Sequence, residues 1–150
     1  MTVQTYPFAE ERAFVAVLLS WFISQLIKVI RGFRHEQRFN FRWLFDTGGM
    51  PSSHSATVAS LATVVGLYYG FNTLPFLIVL IFTLITMFDA AGVRRNVGRQ
   101  ARILNKMMSE FSEKGQVPEQ RLKELLGHTP VEVFAGAFLG VAIAVLSCGF

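Results

Sequence analysis

Two histidines stand in polar motifs of an otherwise apolar chain. His54 lies in the run Gly-Gly-Met-Pro-Ser-Ser-His-Ser at 48–55, and His128 lies in Gly-His-Thr-Pro-Val-Glu at 127–132. An imidazole near neutral pH can act as a proton donor or as a nucleophile. The two motifs therefore indicate group-transfer chemistry, provided that the fold brings them together.

The motif around His54 predicts the start of a helix. Two glycines allow close approach of a ligand to the backbone, and Pro51 fixes the turn. Ser52 or Ser53 is then the N-cap, and the positive end of the helix dipole can bind an anion. His54 falls in the first turn as a candidate proton donor. An ordinary capped helix start is the alternative interpretation.

The motif around His128 places a carboxylate four residues on. Glu132 and His128 can share one helix face, so that the carboxylate holds Nδ1 and the other ring nitrogen can attack. Thr129 and Glu132 also form a capping-box pattern with Pro130 between them, which explains Glu132 by itself. Both roles of Glu132 can coexist, whereas capping does not explain His128.

Candidate anion-binding cations lie near the ends of two apolar segments. Arg94 and Arg95 follow Asp89, a carboxylate at a membrane boundary that is expected to pair with a cation. Guanidinium groups also bind two phosphate oxygens at once. Lys28 shares a helix face with Gln25 and Arg31. Membrane anchoring of the arginines and snorkelling of the lysine are the alternatives.

The elements that carry these residues are predicted to span a membrane. The chain is 52% hydrophobic and 16% charged, and residues 47–88 contain no Asp, Glu, Lys or Arg. A bilayer core takes roughly 20 apolar residues per helix. We expect spans at 13–30, 54–71, 74–91 and 131–149, with a reversal at 70–75. A soluble bundle with a very apolar core is the alternative, and a cleaved secretory signal is not expected.

The distribution of charge predicts the orientation. Every Lys and Arg except Arg12 lies at the end of span one, just after it, or between spans three and four, which marks that side as cytoplasmic. The net charge of +4 therefore needs no nucleic acid as a partner. Residues 98–111 have the periodicity of an amphipathic interfacial helix, and a second short helix is expected at 119–126.

Four spans would gather the candidate residues at their cytoplasmic ends. Two imidazoles, several cations and two carboxylates in one layer suit phosphoryl transfer. A metal site from His54, His128, Asp89 and Asp46 is an alternative, but no metal-ligand spacing is present. Gly136 and Gly140 give the last span a small-residue face for close helix packing.

Three segments together resemble the type-2 phosphatidic acid phosphatase superfamily, and most closely its divergent branch of small membrane proteins. They are GGMPSSHSA, FDAAGVRRNVGRQARILN and LKELLGHTPVEVFAG. The resemblance implies a phosphatase that works through a phosphohistidine without a metal or other cofactor. It implies that His128 is the nucleophile, that Glu132 orients it, and that His54 protonates the leaving alkoxide.

The resemblance also implies a phosphate-binding lysine and arginine. Lys28 takes the first role. Arg121 is one residue out of register with the superfamily's arginine, so the second role is assigned to Arg94 or Arg95. We include Ser52, Ser53 and Asp89 among the residues of the substrate site.

We therefore expect an all-α integral membrane bundle of four transmembrane helices plus one or two cytoplasmic-side interfacial helices, forming one domain over 1–150. The expected activity is hydrolysis of a lipid phosphomonoester, of the phosphatidylglycerophosphate or phosphatidic acid type, at the cytoplasmic leaflet of a bacterial inner membrane. The alternatives are an isoprenyl or lipid pyrophosphate phosphatase, a haloperoxidase, and a non-catalytic anion-binding membrane protein. Membrane lipids are the expected partners, and the oligomeric state is left open.

Overall fold

A computed structural model describes residues 9–36, 49–112 and 127–149, and all regular structure in these ranges is helical. The helices are α1 (Ala9–Glu36), α2 (Ser53–Tyr69), α3 (Leu74–Ala91), α4 (Val93–Ser112) and α5 (Pro130–Cys148). The all-helical class is confirmed. The helix expected at 119–126 lies outside the described residues.

Helix boundaries follow local chemistry at most ends. Ser52 is the N-cap of α2, and its side chain accepts from the backbone N–H of Ser55. Gly70 ends the same helix at φ 94°, a conformation that favours glycine. Thr129 and Glu132 form the predicted capping box of α5. The start of α2, the reversal and the start of α5 are thus set by short-range contacts that the sequence predicts.

Two helices extend beyond their predicted limits. α1 runs to Glu36 although its apolar stretch ends near residue 30, because Arg31 and Arg34 end the hydrophobic run without breaking the helix. α4 begins at Val93 rather than at Gly98, and Gly92 alone separates it from α3. The first turn of α4 therefore contains Arg94 and Arg95.

Three helical segments are long and apolar enough to cross a membrane: Glu10–Arg34, Leu74–Ser109 and Pro130–Cys148. The second takes in α3 and most of α4. α2 has 17 residues and is not among the three, so a fourth transmembrane helix stays a prediction. Their outward faces are strongly apolar and exposed, as at Phe88 (77%), Phe138 (78%) and Leu146 (82%).

α2 lies at the centre of the bundle and packs against α1, α3 and α5. Its buried residues are small ones: Ser53, Ser55, Ala56, Val58, Ala59, Ser60, Ala62, Val64 and Gly66. A Cβ atom added to Gly136 would collide with the carbonyl oxygen of Ser52, and one added to Gly140 would collide with that of Ala56. The predicted small-residue face of α5 is confirmed, and it brings α5 against the backbone of α2.

α4 has the predicted amphipathic character. Ile103, Leu104 and Met107 are exposed on an apolar side of the helix, and Arg99, Arg102 and Lys106 lie together on the adjoining polar side. Among the described helices, α3 is the one whose Cα atoms come within 8 Å of those of α4. This geometry is typical of a helix that lies at a membrane interface.

Candidate active site

His128 is held in place by two contacts just before α5. Its Nδ1 lies 3.0 Å from Oε2 of Glu132, and its backbone N–H donates to the carbonyl oxygen of Ala90 at 2.9 Å. Gly127 precedes it at φ 87°, where a side chain would be strained. The histidine is 2% exposed. The side chain and the main chain of His128 are therefore both anchored.

Glu132 performs both of the roles that the sequence allowed. Its Oε2 accepts from the backbone N–H of Thr129 at 3.1 Å and also contacts Nδ1 of His128. One carboxylate oxygen thus caps α5 and orients the imidazole. With Nδ1 directed at the carboxylate, Nε2 is the ring nitrogen that would act as the nucleophile.

His54 lies beside His128, although 74 positions separate them in the numbering, from 54 to 128. The two ring centroids are 6.4 Å apart and the ring planes meet at 61°. His54 occupies the first turn of α2, as predicted, and is half-buried. An imidazole from the first turn of α2 and one from the residues just before α5 therefore lie side by side.

The N-terminus of α2 contributes positive electrostatic character to this region. Ser52 and Ser53 are buried, and the ammonium of Lys28 donates to the hydroxyl of Ser53 at 3.2 Å. Lys28 is itself only 8% exposed. A buried ammonium next to a helix N-terminus favours an anion there. Snorkelling, the alternative for Lys28, does not describe a lysine buried against α2.

Backbone contacts join the ends of the helices around the two histidines. The N–H of Ser52 donates to the carbonyl oxygen of Glu132 at 3.0 Å, which ties α2 to the first turn of α5. The bond from His128 to Ala90 ties the same region to the end of α3. The hydrogen bond from Lys28 to Ser53 ties α1 to the same region. The ends of α1, α2, α3 and α5 that carry the candidate residues thus lie at one side of the bundle.

The remaining predicted residues are placed less completely. Asp89 is half-buried in the last turn of α3, next to the Ala90 carbonyl that holds His128. Arg94 and Arg95 lie in the first turn of α4, but their side chains fall outside the description, so their pairing with Asp89 or with phosphate stays a prediction. Asp46 also falls outside it. Among the described residues, no three His, Cys, Asp or Glu side chains are grouped as metal ligands.

Two contributors were not singled out from the sequence. The carbonyl of Ala90 fixes the main chain of His128, and Ser55 donates its hydroxyl to Ser52 at 3.1 Å inside the buried start of α2. Ser55 belongs to the Ser-Ser-His-Ser run, so its position was a usable signal. No side-chain pattern signals a backbone bond between two helices, and Ala90 could not have been found that way.

This set of groups is suited to phosphoryl transfer. An oriented imidazole can attack phosphorus, a second imidazole can protonate a leaving oxygen, and cationic groups can stabilise the charge on the equatorial oxygens. The same combination occurs in the three motifs that resemble the type-2 phosphatidic acid phosphatases. A family model described as the divergent PAP2 family matches residues 9–143 of the chain.

The chain belongs to the divergent PAP2 family. A relative from Bacillus subtilis (strain 168), named "Uncharacterized membrane protein YuiD", is 41% identical over 138 residues, which are 85% of this chain and 87% of that protein. No solved structure gives a significant match. The predicted resemblance is confirmed, and with its apolar helices this divergent PAP2 family chain is a membrane protein.

Proposed function

We propose that this protein is a membrane phosphatase that hydrolyses a lipid phosphomonoester at the cytoplasmic leaflet through a phosphohistidine. One observation carries the proposal: the rings of His54 and His128 lie 6.4 Å apart, and Glu132 holds Nδ1 of His128. A nucleophile and an acid from distant parts of the chain are thereby brought to one place, as phosphoryl transfer requires. Helix capping alone gives no reason for this pairing.

The first half-reaction transfers the phosphoryl group to the protein. Nε2 of His128 attacks phosphorus, the N–P bond forms, and the bond from phosphorus to the ester oxygen breaks. His54 gives its proton to the departing oxygen, which leaves as a lipid alcohol. Glu132 stabilises the positive charge that develops on the His128 ring.

The second half-reaction restores the protein. Water attacks the phosphohistidine, and His54, now neutral, takes a proton from it. The N–P bond breaks, inorganic phosphate leaves, and both histidines return to their starting protonation states. The net reaction consumes one water and yields one alcohol and one phosphate.

Binding of the phosphate is assigned to the positive groups around the α2 N-terminus. Lys28, through its position at Ser53, and the first turn of α2 support this part of the proposal. Ser52 and Ser53 shape that turn. Arg94 and Arg95 are proposed to reach the phosphate from α4, with Asp89 orienting them. These groups would stabilise the transition-state charge without a bound metal ion.

The surroundings of the site support a lipid as the proposed substrate. The helices that carry it expose apolar faces suited to a bilayer, and basic residues concentrate in α4 and near the end of α1. A lipid with a phosphate headgroup fits a site at that level of the membrane. Phosphatidylglycerophosphate and phosphatidic acid are the proposed types, because the charge bias favours a site on the cytoplasmic side.

The decisive test measures inorganic phosphate released by the purified protein in detergent from a panel of lipid phosphates and pyrophosphates. We expect turnover in the presence of a chelator, inhibition by vanadate, and loss of turnover in His54→Ala and His128→Ala. Wild-type rates in His128→Ala would contradict the proposal. Preference for an isoprenyl pyrophosphate would replace the proposed phosphomonoester with a pyrophosphate substrate. Binding without phosphate release across the panel would favour a non-catalytic anion-binding protein.

A further inference from the structure

A single strip of half-buried side chains runs down α2 from His54. It consists of His54, Thr57, Leu61, Val65 and Tyr68, at spacings of three and four residues that place them on one helix face. Most other residues of α2 up to Gly66 are buried. The strip therefore marks the side of α2 that the neighbouring helices leave partly uncovered.

The contacts of α2 locate this side between two particular helices. α5 packs on the face of Ser52 and Ala56. α1 packs on the face of Ser53, which binds Lys28, and of Val64, which contacts Ala16. α3 packs on the face of Val58, whose carbonyl oxygen accepts from Thr83 at 3.0 Å.

At about 100° per residue, the strip falls between the α1 face and the α3 face and away from the α5 face. Within residues 9–36, 49–112 and 127–149, no Cα atom of α1 lies within 8 Å of a Cα atom of α3. The two helices therefore flank a crevice, and the strip on α2 is its floor. His54 lies at one end of that floor.

The chemistry of the floor is apolar below His54. Thr57 donates its hydroxyl to the carbonyl oxygen of Ser53 at 2.8 Å, so its polar group is satisfied within the helix. Leu61 and Val65 follow, and no charged residue occurs between 47 and 88. Tyr68 packs against the small cluster of Ala16, Val64 and Ala144. From His54 to Tyr68 the floor is about 20 Å long, given the rise of an α-helix.

We propose that this crevice between α1 and α3 binds a hydrocarbon chain of the phosphorylated lipid. The lipid enters sideways from the bilayer, with its phosphate at the two histidines and its chain along Thr57, Leu61 and Val65. The inference rests on the proposed function for the headgroup. Continuity with the site selects this occupant, because the same strip that begins at His54 continues as an apolar surface open to the membrane.

A cross-linking experiment tests the location without requiring turnover. The probe is phosphatidic acid with a diazirine midway along one acyl chain, added to the His128→Ala variant in phosphatidylcholine vesicles. We expect adducts concentrated at residues 57–65 after photolysis and mass spectrometry. Phosphatidylcholine with the same diazirine chain is the control, and it should label mainly the outward face of α3, at Ile85 and Phe88. The same distribution for both probes would overturn the inference.

A steric variant tests the crevice by kinetics. Leu61→Trp should lower kcat/KM for a long-chain phosphatidic acid about tenfold relative to that for a chainless phosphomonoester, as expected when a hydrophobic subsite loses room. Leu84→Trp, on an exposed part of α3, is the matched control and should leave that ratio unchanged. An unchanged ratio in Leu61→Trp with retained thermal stability would contradict the crevice.

The two proposals fail in different ways. Suppose that phosphatidic acid labels residues 57–65 but the unmodified protein releases no phosphate from any lipid phosphate. This result would contradict the phosphatase proposal and support the lipid-binding crevice. Phosphate release that depends on His128, together with the same labelling by both probes, would support the phosphatase proposal and contradict the crevice.

Discussion

Glu132 joins helix structure to the proposed chemistry through a single oxygen atom. Oε2 accepts from the N–H of Thr129 and contacts Nδ1 of His128. Glu132→Gln keeps an oxygen for the cap but loses the negative charge that stabilises a cationic His128. We expect the melting temperature to change little and kcat to fall about a hundredfold or more.

The alanine variant at the same position separates the two roles. Glu132→Ala also removes the bond from the N–H of Thr129, which is one half of the capping box, so we expect the same loss of kcat and a further loss of about 1 kcal/mol of stability. Phosphate release and thermal unfolding in detergent measure the two effects. Equal activity of Glu132→Gln and the unmodified protein would show that the carboxylate only caps α5.

Lys28 is a cation that the structure brings to the α2 N-terminus. Lys28→Met keeps the length and the apolar stem but removes the ammonium that contacts Ser53. We expect kcat/KM to fall about a hundredfold, because a positive group aimed at developing phosphate charge contributes a few kcal/mol. Arg31→Met is the matched control: Arg31 lies three residues on in the same helix and is exposed. A loss of similar size in both variants would point to net charge rather than to a phosphate contact.

The two histidines predict a specific dependence of rate on pH. Attack requires His128 to be neutral, whereas protonation of the leaving oxygen requires His54 to be charged. The rate should therefore fall on the acidic side as His128 gains a proton and on the alkaline side as His54 loses one. The residual activity of His54→Gln should still fall at acidic pH but should no longer fall at alkaline pH. If the rate of His54→Gln still falls at alkaline pH, that fall reports the titration of another group.

At the scale of the helices, the backbone contact of α5 with α2 sets the position of both histidines. Gly136 lies against Ser52, the N-cap that precedes His54 by two residues, and Gly140 lies against Ala56 one turn further on. Gly140→Ala should destabilise the protein by about 1–3 kcal/mol, the usual cost of overpacking. Thermal unfolding measures this, with Phe138→Leu on the exposed side of α5 as the control that should change little.

Gly136→Ala should add a catalytic effect to a similar loss of stability. The added methyl group pushes Ser52 away from α5 and changes the spacing of His54 and His128, so kcat should fall more than in Gly140→Ala. Equal kcat values in the two variants would show that the spacing of the helices, rather than the placement of Ser52, matters to the reaction.

How far the sequence predicts these elements depends on the range of the contacts involved. The starts of α2 and α5 are readable, because Ser52, Thr129 and Glu132 act within one helical turn. The end of α1 is not, because charged residues end an apolar run without ending a helix. The pairing of Lys28 with Ser53 and the bond from His128 to Ala90 arise only from packing between distant segments.

At the scale of the whole molecule, α2 decides how the chain crosses the membrane. With 17 residues it is shorter than the other apolar helices, yet it is the most enclosed by protein. A central helix can span the bilayer with fewer apolar residues when its neighbours cover it and the bilayer adapts to its length. If α2 spans, α3 returns across the bilayer and the turn at 70–73 lies opposite the histidines. If α2 does not span, α3, whose Ala90 holds His128, does not span either, and the turn and the site share one side.

Cysteine labelling distinguishes these two topologies in intact cells. Cys148, the single cysteine, is replaced by serine, and Asn72→Cys or Ser109→Cys is introduced at an exposed position. We expect a membrane-impermeant maleimide to label Asn72→Cys from outside and Ser109→Cys only after permeabilisation, since the basic residues of α4 mark the cytoplasmic side. Labelling of both positions only after permeabilisation would show that neither α2 nor α3 crosses, because α3 connects the turn to the site. Labelling of Ser109→Cys from outside would place α4 and the histidines on the external side, and the substrate would then have to be a lipid phosphate of the outer leaflet.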